Sequence, residues 1–440
     1  MPSLTPLHEN YCKLHNAPLS QADLLEGLAQ LFSGRIIEFT DQLFLILQRE
    51  VMLSFFGVKP KRLEKLNHCS YIEKLQQLHS GVLQHYSQHL LAPGLRHVLN
   101  RFPTLHDRSM TPTLQFLVGI LNGILGDYLY NQHNPLALPM LLYDHYSAPQ
   151  QGDLDGRIVI FIHGLCMNHQ DWHHRQDGGI GEKLLAKRDH NTMLYLSYNS
   201  GRRISANGRS LAALLEDLVQ RHPRITSIDL IGHSMGGLVA RSALFYGKQN
   251  LHRWFYMVEN LVCIGSPHHG AGLERFSYTI QKKVGHFPVV KLFSHFVNIR
   301  SNGILDLRHG SVRDDDWEHN EMRIGLPDDN RKPAPLPRHI NTFLIAGTLE
   351  YQNKNTPFKI LGDYLVSVKS ALGEHPNPRY CLKVPDANKA VFYGLTHFSL
   401  QHHPRVAEQI CQWFYPTDET EVDPQRHEYH LDTLEGIALT

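Results

Sequence analysis

The tightest constraint on this chain lies in residues 227–246. The β-rich run Ser227-Ile228-Asp229-Leu230-Ile231 passes through Gly232-His233-Ser234-Met235-Gly236 into the helix-compatible run Leu238 to Leu244. A strand that turns into a helix this sharply needs small residues at 232 and 236, because side chains there collide with the neighbouring strand and helix. The turn lifts the Ser234 hydroxyl above a sheet edge and aims the first N–H groups of the helix at charge developing beside it. G-x-S-x-G alone arises by chance; its strand–turn–helix setting makes it a nucleophile elbow.

The elbow sits inside a longer rhythm. Arg157 to Ile162 is a continuous apolar run ending in His163-Gly164, as suits a parallel strand buried on both faces. Further strands are expected at Met193–Tyr198, Leu261–Ile264, Thr342–Ala346 and Val391–Tyr393, with helices at Ser205–Arg221, Gly236–Tyr246 and Pro404–Phe414. Strand alternating with helix predicts an α/β domain over 151–416 with a mostly parallel central sheet. Right-handed crossovers then bring the strand C-termini to one edge. Residues 271–335 break the rhythm with Arg, Asp, His and Pro, and a stretch that long is expected to be a cap or lid insertion. Residues 417–440 read as a polar tail.

Residues 1–150 read as an N-terminal helical accessory region. Ser20 stands as an N-cap before a stripe of Leu24, Leu25, Leu28 and Phe32. Stripes over Ile36–Phe56 and Tyr71–Tyr86 follow, and Thr111-Pro112 opens the apolar stretch Leu114–Tyr130.

A serine hydroxyl needs a base to take its proton and donors to hold an oxyanion. His163-Gly164-Leu165 follows an early strand, so the backbone N–H of Leu165 is the expected first donor and that of Met235 the second. Cys166 adjoins them as a packing residue. The base belongs after the last strand and before the last helix, where His397 stands in Gly394-Leu395-Thr396-His397-Phe398; His402 and His403 abut the helix start and fit less well. The acid belongs on the loop after Thr342–Ala346, where spacing leaves Glu350 and Asp363 both open.

Composition removes several alternatives. The 440 residues carry 43 Lys+Arg against 42 Asp+Glu, so charge supplies no reason to expect nucleic acid. The six cysteines are scattered without a CxxC pair, which argues against structural zinc and a disulfide framework. The 31 histidines include the doublets His173-His174, His268-His269 and His402-His403, none beside a Cys or carboxylate at ligand spacing, so no metal and no organic cofactor is expected. The N-terminus lacks a basic start followed by an apolar core, and no run of about 18 apolar residues appears. The expected location is therefore cytoplasmic, with peripheral contact at a lipid interface.

At these residues the chain resembles bacterial lipases and esterases of the α/β-hydrolase superfamily, and the group related to inositol deacylases of GPI anchors. The resemblance runs through residues 163–172, Tyr198 to Gly201, Gly232 to Gly237, Leu261 to Gly270, Gly362 to Gly373 and Gly394 to Leu400. It implies an α/β-hydrolase fold and ester hydrolysis through a Ser234–His397–Asp363 triad, with lipid-like acyl esters as substrates. The acid maps onto Asp363 because such families carry Asp-Gly-Leu/Val-Val-Pro there; Tyr364 replaces the usual Gly and Ser367 the usual Pro. His268 falls in a segment that shapes the site floor. Thioester hydrolysis, acyl transfer, or a non-catalytic binding role for the fold are the competing expectations.

Overall fold

The computed structural model describes residues 17–33, 110–173, 179–187, 192–272, 301–317, 331–349 and 362–416. The stripes over Ile36–Phe56 and Tyr71–Tyr86, the candidate acid Glu350 and the tail 417–440 lie outside the described residues, as do 273–300 and 318–330 of the expected insertion. The chain divides into two compact units, Met1–Pro139 with Glu274–Ser301, and Met140–Leu273 with Asn302–Thr440.

In the first unit, helix α1 is Gln21–Ser33 and α2 is Pro112–Asn131. Both start where the sequence puts a cap. The Ser20 amide donates to the Asp23 carboxylate at 2.7 Å, and the Asp23 amide donates back to Ser20 Oγ. Thr111 caps α2 and Pro112 takes the first position, where its missing N–H costs nothing. Leu24, Leu28 and Leu31 of α1 and Leu114, Leu117, Leu121 and Leu125 of α2 share one apolar cluster. Asn122 is buried there, and its amide donates to the Val118 and Leu136 carbonyls at 2.9 and 2.7 Å. Its oxygen accepts from the Leu138 amide, so one polar side chain ties the exit turn to the helix. Among the described residues no helix is long and apolar enough to cross a membrane.

The second unit holds a sheet of seven strands: β1 Leu141–Tyr143, β2 Gly156–Ile162, β3 Thr192–Ser197, β4 Ile225–His233, β5 Val258–Ile264, β6 Asn341–Thr348 and β7 Lys389–Tyr393. Their order is β1-β3-β2-β4-β5-β6-β7, with β1 antiparallel to β3 and every other pair parallel. The expected strands are all present, most extended by one to three residues. The sheet also begins earlier than the sequence pattern does. Leu141–Tyr143 is too short to show a period of two, and falls inside the stretch read as helical.

Among the described residues, the helices in this unit are α3 Ile180–Lys187, α4 Ile204–Arg221, α5 Met235–Gln249, α6 Arg253–Met257, α7 Asn302–His309, α8 Val368–Ala371, α9 His397–Leu400 and α10 Pro404–Phe414. Ile158 through Ile162 of β2 are completely buried, as a strand covered on both faces requires. Val159 and Phe161 pack with Trp172, Ile180, Leu184 and the α10 residues Val406, Ile410 and Phe414. Each such side chain contributes roughly 1.5–3 kcal/mol on burial. Of the expected insertion, α7 is fixed to α4: Asp306 accepts from Arg203 Nη1 at 2.7 Å and from the Ile204 amide at 2.8 Å. Burial pushes the Asp306 carboxyl up to about 6 despite that partner.

Candidate active site

The parallel strands deliver their C-terminal ends to one edge, and the sequence-predicted residues meet there. Ser234 joins β4 directly to α5 with φ 53° and ψ −121°. A non-glycine residue in that region is strained, and the close packing of strand on helix holds it there. A Cβ at Gly236 would strike the Ile162 and His163 carbonyl oxygens of the neighbouring strand, and one at Gly232 would strike the backbone of Gly236 and Gly237. The Ser234 amide donates to the Ile264 carbonyl at 2.8 Å, which ties the elbow to the end of β5. Met235 is the first residue of α5, so its N–H has no partner within the helix.

The loop after β2 reaches the elbow from the other side. A Cβ on Gly164 would sit 3.1 Å from Ser234 Cβ, so the backbone bearing Leu165 approaches the serine closely. Three groups hold that loop. His163 is fully buried, contacts the Gly164 carbonyl through Nδ1 at 2.8 Å and stands 3.4 Å from the Tyr198 amide through Nε2. The Tyr198 hydroxyl donates to the His163 carbonyl at 2.7 Å, and the two rings stack. The Cys166 amide, in a residue with φ 59°, donates to Ser200 Oγ at 3.1 Å. Cys166 is buried, consistent with packing rather than chemistry. Burial pushes His163 down to about 4, so it is neutral and its Nε2 remains an acceptor for Tyr198.

His397 opens α9, whose N-cap is Thr396. Its Nδ1 lies 2.7 Å from Asp363 Oδ2, and both side chains are buried. The His397 amide also donates to the Asp363 carbonyl at 3.0 Å. Asp363 Oδ1 accepts the Leu365 and Val366 amides at 3.0 and 2.8 Å, which leaves the other oxygen for the imidazole. A Cβ on Gly265 would lie 3.3 Å from both Asp363 Oδ2 and His397 Nδ1. Gly265 follows Ile264, the residue whose carbonyl holds Ser234, so the His–Asp pair adjoins the elbow. Tyr364, at the usual glycine position, has φ 83°, so the loop keeps the backbone form that glycine favours. Ser367, at the usual proline position, caps α8 by accepting from the Ser370 amide.

The remaining histidines separate clearly. His403 caps α10. His268 is buried with Nδ1 3.1 Å from Arg241 Nη1, and burial beside that cation lowers its pKa well below the ordinary value. The role of His233 was invisible in the motif: its Nε2 lies 3.0 Å from the His397 carbonyl, linking elbow and base. Of the doublets, His173 lies with His145 and Glu182, three potential metal ligands whose ligand atoms fall within 4.8 Å of one another.

The buried carboxylate–imidazole pair beside a strained serine is an arrangement suited to nucleophilic chemistry. Among curated proteins none matches the chain. Solved structures similar to it include Bacillus licheniformis lipase BlEst2 in mature form, at 17% identity over 62% of this chain and 97% of that one, with a TM-score of 0.38. The Pyrococcus furiosus esterase Pf2001 is similar at 16% identity over 62% and 88%, with a TM-score of 0.34. A thermophilic esterase from Thermogutta terrifontis is similar at 15% over 62% and 92%, with a TM-score of 0.33. A family model described as the PGAP1-like alpha/beta domain matches residues 153–375, half of the chain. The sheet order and the strand–serine–helix elbow are those of an α/β-hydrolase fold, and the chain belongs to the PGAP1-like alpha/beta domain family.

Proposed function

We propose that the protein is a serine hydrolase of carboxylic esters, with lipid-like acyl esters as its substrates. The reading rests on the buried contact of 2.7 Å between His397 Nδ1 and Asp363 Oδ2, adjoining the Ser234 elbow. In it, His397 Nε2 takes the Ser234 proton as Oγ attacks the ester carbonyl. The oxyanion is held by the Leu165 and Met235 N–H groups. His397 then gives its proton to the leaving alcohol, and water, deprotonated by the same imidazole, releases the acid from the acyl-enzyme. Asp363 keeps the imidazole in the tautomer with its proton on Nδ1 and stabilises the imidazolium.

The lipid-like acyl group is supported by the rim beside the acid loop. Leu349, Tyr364 and Tyr393 are all more than a third exposed. Thr348, next to Leu349, pairs with Tyr393, and the Leu349 amide donates to the Gly362 carbonyl, so the three gather where β6 and β7 end. Such a rim also suits peripheral contact with a lipid interface.

The test is p-nitrophenyl ester turnover across acyl lengths, with fluorophosphonate labelling in parallel. The expected result is activity rising from acetate to octanoate, labelling at Ser234, and a loss of about 10⁴-fold or more in Ser234→Ala. Turnover retained in pure Ser234→Ala protein overturns the serine mechanism. A short-chain optimum overturns the lipid-like substrate alone.

A further inference from the structure

The geometry points to a divalent-cation site, of zinc type, formed by His145, His173 and Glu182. His145 lies in the turn after β1, His173 follows the 3₁₀ turn His169–Trp172, and Glu182 stands in the first turn of α3. These segments are distant in sequence, yet one ligand atom from each lies within 4.8 Å of the others. Two imidazoles and one carboxylate are the ligand set of open zinc sites, in which water or another group completes a tetrahedron. Metal–ligand distances of about 2.0–2.2 Å place tetrahedral ligands roughly 3.3 Å apart. The side chains therefore close in by about 1.5 Å at most, within reach of rotation on partly exposed residues.

Two observations point to a cation rather than a plain ion pair. His173 Nδ1 and Glu182 Oε1 are 3.8 Å apart, beyond hydrogen-bond reach, while His173 Nε2 and Glu182 Oε2 are buried with no hydrogen-bond partner. Unpaired buried atoms on two neighbouring groups are costly, and a cation bound through one nitrogen of His173 and one oxygen of Glu182 offsets part of that cost. An outer shell is also built. The Tyr195 hydroxyl lies 3.4 Å from His145 Nδ1, and in the tautomer with its proton on Nδ1 the imidazole donates to the phenol and leaves Nε2 to ligate. The Tyr195 ring packs against His173 at 4.4 Å between centroids and stacks on Phe161 at 4.9 Å, which anchors the shell to the sheet.

The site has a structural consequence at the edge described above. His173 ends the segment that starts at His163-Gly164-Leu165, and Trp172 beside it makes an edge contact with His233. A cation shared with α3 and the turn after β1 pins the far end of the loop that carries Leu165. Such a site is independent of the ester chemistry, and cation binding and stability report on it directly.

The test uses the full chain, stripped with chelator and titrated with Co²⁺ by absorption and with Zn²⁺ by calorimetry. One saturable equivalent is expected, with tetrahedral Co²⁺ bands and a melting temperature raised by Zn²⁺. Glu182→Gln and His145→Asn, both at partly exposed positions, should weaken binding at least tenfold and abolish the rise, with the metal-free melting temperature little changed. Weak, multiple binding that survives in both variants would show adventitious histidine binding only and overturn the site, as would the absence of any saturable equivalent.

Discussion

Three turns at the same sheet edge hold a non-glycine residue at positive φ, Cys166, Ser234 and Tyr364, and the turns of Ser234 at 53° and Tyr364 at 83° are held in different ways. Ser234 is wedged between β4 and α5 and is 4% exposed, with the backbone of β2 pressed against Gly236. Tyr364 sits in a loop fixed by the Asp363 side chain, which accepts the next two amides, and it is 38% exposed. One turn is enforced by packing that the sequence must permit with glycines. The other is enforced by a few hydrogen bonds that tolerate a tyrosine where glycine is usual. Strain is thus distributed unevenly across the site: rigid on the nucleophile side, and released by local change on the acid side.

The largest effect should come from breaking the packed turn. Gly236→Ala puts a methyl group into the Ile162 and His163 carbonyl oxygens. Backbone cannot yield there without parting β2 from α5, so stability should fall by more than about 4 kcal/mol, read from a denaturant midpoint, with ester turnover lost alongside. A near-native midpoint would mean that the elbow is not clamped as described. On the acid side the fold should survive a change that removes the chemistry. In Asp363→Asn the amide oxygen still accepts from Leu365 and Val366, but the NH₂ now faces His397 and favours the wrong tautomer. Turnover of p-nitrophenyl esters should fall about 10⁴-fold, with stability lowered by about 0.5–1.5 kcal/mol for the one altered hydrogen bond.

This unevenness explains what the sequence disclosed. The elbow was legible because packing of that kind demands Gly232 and Gly236 at fixed spacing between an apolar strand and a helix. His397 was legible by position, since one loop separates the last strand from α10. Asp363 became legible only through its resemblance to a family segment, because hydrogen bonding rather than residue type shapes that loop. The supports were not legible at all. His163, Tyr198 and His233 act through backbone carbonyls and amides brought near by the sheet order, for which the sequence has no period. His145 is likewise 28 residues from His173, so the grouping with Glu182 exists only once β1 is placed at the sheet edge.

Acid should act through the buried histidines, two of which lie beside the loop that carries Leu165. Burial holds His163 at about 4 and His169 at about 3, against an ordinary value of 6.5. Both are neutral when folded and take up protons on unfolding below pH 6.5. A depressed folded pKa of this kind makes stability full above 6.5 and lost as pH falls towards 4. For His163 alone the change is roughly 3 kcal/mol across that window. Chemical denaturation between pH 7.5 and 4.5 should show a net fall in stability below 6.5, offset in part by the raised Asp306 carboxyl, which gains stability as pH falls through about 6, and less steep in His163→Asn. A flat profile would mean that these rings are solvated.

The smallest effect is the most telling about the acid loop. Positive φ costs a non-glycine residue about 1–3 kcal/mol, and replacing Tyr364 by glycine removes that cost. The glycine also gives the unfolded chain more freedom, which takes back roughly 0.4–1 kcal/mol. Tyr364→Gly should therefore stabilise the protein by about 1 kcal/mol, visible as a melting temperature raised by a few degrees. Hydrolysis of a short ester should be unchanged, since the Asp363 hydrogen bonds depend on the backbone form and not on the phenol. Hydrolysis of long-chain esters should weaken if the exposed ring forms part of the apolar rim. Loss of stability instead would mean that the tyrosine ring, not the Asp363 hydrogen bonds, keeps the loop in its left-handed turn, and that both sides of the site are held by packing after all.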